Sequence, residues 1–190
     1  MVNSRKKTTF APVITKTKNN MKRIFILMAV LACITLSATA QSLGVYINDN
    51  NGKYTNIRNA PNGKVVFKLK LPNANGTMFA VDRVVNGWWH IDGTEYSNGD
   101  EEGEFTGSTT GYWIHNSVIT VDTRNYGGQK LSLRSKPSAK ASVVFSFKKE
   151  ISLIPLDIKG DWVKVKTADG KHTGWIEREW LCGNSLTNCC

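Results

Sequence analysis

The 190-residue chain has no sustained helical pattern of apolar residues after residue 40. Short alternating or β-branched runs stand in its place, separated by Asn-Gly, Asp-Gly and Lys-Gly turns. These features predict an all-β fold of two small, partly open barrels in tandem. The predicted strands are Val65 to Leu71, Met78 to Val85, Trp88 to Ile91, Val118 to Asp122, Val143 to Phe147, Ile151 to Leu156 and Trp162 to Thr167.

The chain also lacks an apolar run long enough to span a bilayer comfortably. The run Ile24 to Leu36 follows Met21-Lys22-Arg23 and precedes Ala38-Thr39-Ala40, which is the pattern of a secretory signal cleaved before Gln41. Export to the periplasm or the exterior is therefore expected. Translation starts either at Met1, with a disordered extension, or at Met21. Acylation of Cys33, as in a lipoprotein, is the alternative mode of export.

Most of the excess positive charge lies outside the predicted mature protein. The formal net charge is +10, but residues 1 to 40 hold 7 of the 25 Lys and Arg and no acid, which leaves 18 basic and 15 acidic residues. Nucleic-acid binding thus loses its main support. Residues 41 to 125 hold 7 basic and 9 acidic side chains, and residues 126 to 190 hold 11 and 6. The second part is the one expected to meet an anionic surface.

Cysteine is scarce, and three of the four cysteines lie in the last nine residues. In an exported protein two of these should pair, and a bridge from Cys182 to Cys189 is predicted, with Cys190 as the alternative partner. Zinc-type ligand spacing is missing. The histidines lie in or beside predicted strands, and no segment of catalytic size remains, so neither an enzyme nor a cofactor is expected.

One sequence pattern occurs twice, at an offset of 76 residues. An apolar residue, Arg, two variable residues and Pro are followed by Val-Val-Phe, first from Ile57 to Phe67 and again from Leu133 to Phe145. Gly-Tyr-Trp-Ile near residue 113 corresponds to Gly-Trp-Ile near residue 175. The pattern predicts an internal duplication. We divide the chain into a leader (1–40), a first repeat (41–122) and a second repeat (123–190).

The first repeat carries an insertion between residues 93 and 110 that includes Asp100-Glu101-Glu102-Gly103-Glu104. Four carboxylates in five positions could chelate a hard cation, but they lack a fixed ligand spacing. We therefore expect a solvated, mobile loop.

Both repeats resemble bacterial SH3-type domains. The resemblance rests on Leu-Ser-Leu-Arg-Ser-Lys-Pro-Ser from residue 131, Asp-Trp-Val-Lys-Val from 161, Thr-Gly-Trp-Ile from 173 and Trp180-Leu181, with Thr-Asn-Ile-Arg-Asn-Ala-Pro-Asn from 55 in the first repeat. It implies small barrels in exported proteins that often bind the cell wall. The first repeat departs from the pattern by its insertion and by Val118 where the second has Trp180.

Strand alternation places Trp88 with His90, and Trp162 with Lys164 and Lys166, on the faces opposite the predicted cores. In the SH3 group a Trp at the start of this strand lines the peptide groove, so the resemblance makes these five residues the candidate ligand contacts. Cover of each Trp by a loop or by the other repeat is the competing interpretation. Arg58 and Arg134 are expected to bond backbone carbonyls.

These observations lead to two functional hypotheses. The first is a non-catalytic exported module that recognises a cell-envelope ligand, peptidoglycan or its peptide. The second is an adaptor or inhibitor that binds an envelope protein, for which the acidic insertion could dock on a basic surface. The ligand's identity, the oligomeric state and the role of Cys190 stay open at this point.

Overall fold

The computed structural model describes residues 42–184 and Leu186. The predicted signal segment, both candidate start sites, the lipidation candidate Cys33, and Cys189 with Cys190 lie outside the described residues. Among the described residues, no helix has the length and apolar character needed to cross a membrane.

The all-β prediction is confirmed: the described chain consists of strands joined by turns, with two short 3-10 turns. In the first repeat the elements are β1 (Leu43–Ile47), β2 (Tyr54–Arg58), β3 (Val65–Lys70), β4 (Met78–Val85), β5 (Trp88–Ile91), β6 (Glu95–Asn98), β7 (Glu101–Glu104), β8 (Tyr112–His115), a 3-10 turn (Asn116–Val118) and β9 (Ile119–Thr123). In the second they are β10 (Leu131–Arg134), β11 (Val143–Phe147), β12 (Ser152–Lys159), β13 (Trp162–Thr167), β14 (Thr173–Glu177), a 3-10 turn (Arg178–Trp180) and β15 (Leu181–Cys182).

The strands form one antiparallel sheet that does not close on itself. Its order is β11-β10-β14-β13-β12-β9-β1-β4-β5-β8-β2-β3, with β6 and β7 attached to β4 and β15 attached to β9. The predicted strand ending at Asp122 begins one residue later than expected, because Val118 closes the first 3-10 turn.

The duplication extends to strand register. Strands β1 and β9 lie 76 residues apart, and Arg58 pairs with Trp113 as Arg134 pairs with Trp175. A register shift follows Ile57 in β2 and Leu133 in β10. Since a bulge re-aims the side chains of its strand, the shared shifts give the two arginines the same local geometry.

The two repeats meet through a strand rather than a linker. Strand β9 pairs with β1 of the first repeat and with β12 and β15 of the second. The boundary drawn between residues 122 and 123 therefore falls inside β9. The Trp89 indole Nε1 donates a hydrogen bond of 3.1 Å to the Pro155 carbonyl, and the buried apolar residues form one cluster that spans both repeats.

The acidic insertion differs from expectation, because it contains an ordered hairpin rather than only a mobile loop. Glu95 pairs with Glu104 and Asn98 with Glu101, so β6 and β7 form a two-stranded ribbon. Phe105, just after β7, is 1% exposed. Its ring centroid lies 4.8 to 5.8 Å from four neighbouring rings, those of Phe67, Phe79, Tyr96 and Tyr112. Burial of Phe105 fixes the hairpin. In the sequence this aromatic residue directly follows a run of acidic residues, which predicts a solvated loop instead.

On the outer face of the sheet, a polar cluster of Tyr46, Asp122 and Ser152 connects the two repeats. The Tyr46 hydroxyl lies 3.0 Å from both Asp122 carboxylate oxygens, and the Ser152 hydroxyl donates to the same carboxylate at 2.6 Å. Burial of the phenol, together with the adjacent negative charge, raises the pKa of Tyr46 to about 12 from an ordinary value of 10.0.

We predict that Tyr46→Phe lowers the free energy of unfolding by about 1–3 kcal/mol at neutral pH, because the lost hydrogen bond ends on a charged group. A raised pKa in the folded state means that the neutral phenol stabilises the fold below pH 10 and that this contribution disappears as pH rises toward 12. Denaturant titrations at several alkaline pH values measure both effects. Tyr54→Phe, at an exposed ring, is the control and should change neither; equal effects of the two variants would contradict the assignment.

We also predict that Phe105→Ala costs about 3–5 kcal/mol, the usual range for deleting a fully buried aromatic ring. The half-buried Phe147 is the control, since Phe147→Ala removes a ring that is still partly hydrated. Hydrogen exchange should report faster exchange in β6 and β7 of the Phe105 variant. An unchanged hairpin would show that its order does not depend on this ring.

Candidate functional site

The predicted outward face of β5 and β13 is confirmed. Trp89 and Ile91 are buried, as are Val163 and Val165, while the residues between them are half-exposed. Two-residue turns, Asn86-Gly87 and Gly160-Asp161, precede these strands and fix their register, so that Trp88 pairs with Val85 and Trp162 with Lys159. Both candidate tryptophans thus begin their strands on the face away from the core.

In the second repeat Trp162 lines a groove. One concavity of about 160 Å³ lies between Trp162 and Trp180, over β10 and β14. An adjoining concavity of about 400 Å³ shares Trp162 and Glu177 and continues to Asp161 and Glu179. The 3-10 turn before β15 places Trp180 opposite Trp162, so two indoles line one open surface. We call this surface the Trp162 groove.

Charge is divided along the Trp162 groove. Lys130 and Arg134 line one end, whereas Asp161, Glu177 and Glu179 line the other. Arg178 lies 3.6 Å from the Asp161 carboxylate and offsets part of the negative charge there. An elongated ligand with an anionic group at one end and a cationic group at the other would match this distribution.

The Arg134 guanidinium also has the structural task expected of it. Its Nη1 donates to the Ala141 carbonyl at 2.9 Å, as Arg58 Nη1 donates to the Gly63 carbonyl at 2.6 Å. Each arginine therefore closes the turn that follows its own strand. Arg134 also lines the Trp162 groove. Its hydrogen bond to the turn therefore fixes the position of its guanidinium in the groove.

Lys164 and Lys166 share the outward face of Trp162 but lie farther along β13. Lys164 pairs with Asp157 and Trp175, and Lys166 pairs with Ile154 and Thr173. Neither lysine lines the concavities at Trp162. The structure thus separates the two predicted lysine contacts from the groove, which Lys130 and Arg134 line instead.

On the equivalent surface of the first repeat, two side chains pack on the tryptophan. Trp88 pairs across strands with His115, whose ring centroid lies 5.0 Å away, and the Arg58 guanidinium lies 5.4 Å from the Trp88 ring. In the second repeat the position of His115 is taken by Glu177. A cation and an imidazole therefore pack on Trp88, whereas Trp162, which is also half-buried, has a carboxylate at the paired position and lines a concavity.

His90 belongs to a second packed cluster on this face. Its Nδ1 lies 2.8 Å from Asp82, which also accepts a hydrogen bond of 2.7 Å from Arg83. The Trp113 ring lies between His90, at 5.1 Å, and the Arg83 guanidinium, at 5.4 Å. His90 thus has structural partners on this face. The expectation that the protein is not an enzyme stays a prediction.

Sequence reasoning predicted only Trp162 of the groove residues as a ligand contact and missed the others, among them Lys130, Glu177 and Trp180. Only Trp180 had a visible signal, because the second repeat has this Trp where the first has Val118. Glu177 lies beside Trp162 because the two residues pair across β13 and β14. The sequence alone does not give the register of these strands.

A separate concavity of about 770 Å³ lies over the outer face of β1 and β4. Small residues at Gly44 and Ala80 leave space above the sheet, and the hairpin β6–β7 forms one wall. Carboxylates line it: Asp92, Glu95, Glu102 and Glu104. We call it the acidic trough. No group of three or more His, Cys, Asp or Glu in the described part of the chain is placed to hold a metal ion.

Cys182 is buried in β15 beside β9. The cysteine predicted to bond with it, Cys189, lies outside the described residues, so the pairing stays a prediction. The same holds for the role of Cys190.

Comparison with known families identifies one domain. Residues 130–181 match the model of the bacterial SH3 domain; this region runs from just before β10 to Leu181 and contains the Trp162 groove. No curated protein matches the chain.

Two similar solved structures are both from Trichomonas vaginalis. NlpC1 is 14% identical with a TM-score of 0.29 over 78% of this chain and 49% of its own. NlpC2 is 12% identical with a TM-score of 0.29 over 75% and 48%. The chain spans about half the length of each. The family comparison alone identifies a bacterial SH3 domain, at residues 130–181.

Proposed function

We propose that the protein is an exported, non-catalytic module that binds a cell-envelope ligand, peptidoglycan or its peptide, in the Trp162 groove. The observation that carries the proposal is the pair of half-buried indoles, Trp162 and Trp180, that line one groove in the region that matches the bacterial SH3 model. The first repeat, whose register is the same, is proposed to be a second SH3-like domain. The resemblance noted in the sequence supports export and wall binding.

The chemistry of the Trp162 groove favours a peptide ligand. Indole faces pack against apolar groups and become energetically dominant when an interface buries them. Wall peptides carry free carboxylates, and many carry an ammonium group as well. Lys130 and Arg134 would receive the carboxylates, and Glu177 with Glu179 would receive the ammonium group.

The two tryptophans provide a matched test of this proposal. Trp162→Ala should lower retention on purified wall sacculi at least about tenfold, since hot-spot truncation costs about 2 kcal/mol or more. Trp88→Ala should leave retention near that of the unmodified protein, because Arg58 and His115 already pack on this ring. Thermal melting of each variant checks that it folds.

Two outcomes would overturn the proposal. Absence of wild-type retention would remove wall binding altogether. Loss of retention in folded Trp88→Ala with full retention in Trp162→Ala would place the site in the other repeat. Titration with soluble wall peptides, and separately with peptide-free glycan strands, identifies which component binds.

The acidic trough favours a second candidate function, in which the protein is an adaptor or inhibitor that docks on a basic envelope protein. Its volume of about 770 Å³ and its four carboxylates suit a cationic side chain or segment. The hairpin that forms its wall is an insertion that only the first repeat contains.

For this candidate, we predict that replacing Glu95, Glu102 and Glu104 by Gln slows association with a basic protein captured from envelope extracts and weakens the salt dependence of binding. A control with the same change of charge replaces Glu150, Asp157 and Asp169 by their amides, away from the trough. If both triple variants change binding equally, net charge explains the result and the trough is not the binding site. Recovery of wall fragments without a stoichiometric protein would count against an adaptor.

A further inference from the structure

Strand β11 forms one end of the sheet and, among the described strands, pairs only with β10. Val143 is 51% exposed and Val144 is 45% exposed. The strand reads Val-Val-Phe-Ser-Phe, with no proline and no charged side chain. Edge strands are ordinarily protected by charge, proline or a covering segment. Strand β11 contains neither a charged residue nor a proline. The first repeat shows what a covering segment looks like at the equivalent edge.

The equivalent edge of the first repeat, β3, is covered by the chain's own insertion. Gly107 lies so close to β3 that a Cβ there would come within 2.8 Å of the Val66 carbonyl oxygen. Phe105 packs edge-on against Phe67 at 5.6 Å. Val66 is consequently half-buried, whereas its counterpart Val144 is exposed. The second repeat lacks the insertion: His172 stacks on Phe145 as Phe105 packs on Phe67, but Val144 stays 45% exposed.

The surface that this leaves on β11 is apolar and has basic ends. The Phe145 ring stacks on His172 at 4.0 Å and lies 5.7 Å from Phe147, and both phenylalanines are half-buried. Exposed lysines lie before and after the strand, at Lys140, Lys148 and Lys149. A segment that carries carboxylates beside its apolar residues would complement this surface. A second copy would instead bring a second set of lysines to the same edge, and like charges across a strand pair are unfavourable.

We propose that β11 binds an extended polypeptide segment of a partner protein by strand addition, and that this segment has apolar residues flanked by acidic ones. Backbone hydrogen bonds along the free edge provide affinity, and the valine and phenylalanine side chains select apolar partners. The edge is distinct from the Trp162 groove, so the two proposals stand or fall separately.

The chain itself supplies a probe. A blocked peptide with the sequence of residues 101–108, Glu-Glu-Gly-Glu-Phe-Thr-Gly-Ser, contains the segment that covers β3 and three carboxylates. We expect saturable amide NMR shifts at Val143–Phe147 and His172, with a dissociation constant on the order of 1 mM. Val144→Asp should weaken binding at least about tenfold, whereas Val65→Asp, at the exposed start of β3, should not. The same peptide with Gln in place of Glu should bind more weakly.

A second variant guards against misfolding, because the Val144 side chain packs close to Gly174. Lys148→Glu with Lys149→Glu alters only exposed side chains and should also weaken the peptide complex. The proposal fails if no shifts saturate at β11, if both β11 variants bind as the unmodified protein does, or if the shifts map to the Trp162 groove. It also fails if sedimentation shows a dimer that Val144→Asp dissolves, since the occupant is then a second copy.

Discussion

The constraint on which the rest of the structure depends is the pairing of β9 along both edges. On one side, β9 pairs with β12. On the other side, its first residues pair with β1 and its last residues pair with β15. All residues of β9 except Asp122 are buried. A Cβ at Gly183 would clash with the Gly44 carbonyl group, so glycine is required where the chain after β15 meets β1. Because β9 completes one repeat and begins the other, neither repeat can move freely without breaking its own sheet.

The two repeats share strand register and turn geometry, while their surfaces differ. The same bulge and the same arginine-to-carbonyl bond close the turn after β2 and after β10. The side chains around the tryptophan above that turn differ between the repeats. His115 and Arg58 pack on Trp88, whereas Trp162 has Glu177 at the paired position and shares a groove with Trp180.

The sequence predicted what depends on local pattern. Alternation in Trp162-Val163-Lys164-Val165 gave the correct faces, and the recurring Arg gave its carbonyl bond, because both follow from strand period and turn closure. The sequence could not show that Lys164 lies away from the groove or that Glu177 lines it, since those positions depend on the register of β13 with its neighbours. The hairpin at β6 and β7 was missed for a related reason. Four acids predict a solvated loop, and the burial of Phe105 depends on rings from β3, β4 and β8.

The insertion explains why two repeats with one backbone plan differ in their available surfaces. By placing Phe105 and Gly107 against β3 it covers an apolar edge, and the same hairpin forms the wall of the acidic trough. The second repeat has no such segment, so the valines of its edge stay exposed with lysines before and after them, while its indole groove has a basic end and an acidic end. Charge and apolar exposure therefore differ together: the first repeat presents carboxylates beside an edge that its insertion packs against, and the second presents an exposed apolar edge and a groove of mixed charge. A partner that recognises one repeat has little chemical reason to recognise the other.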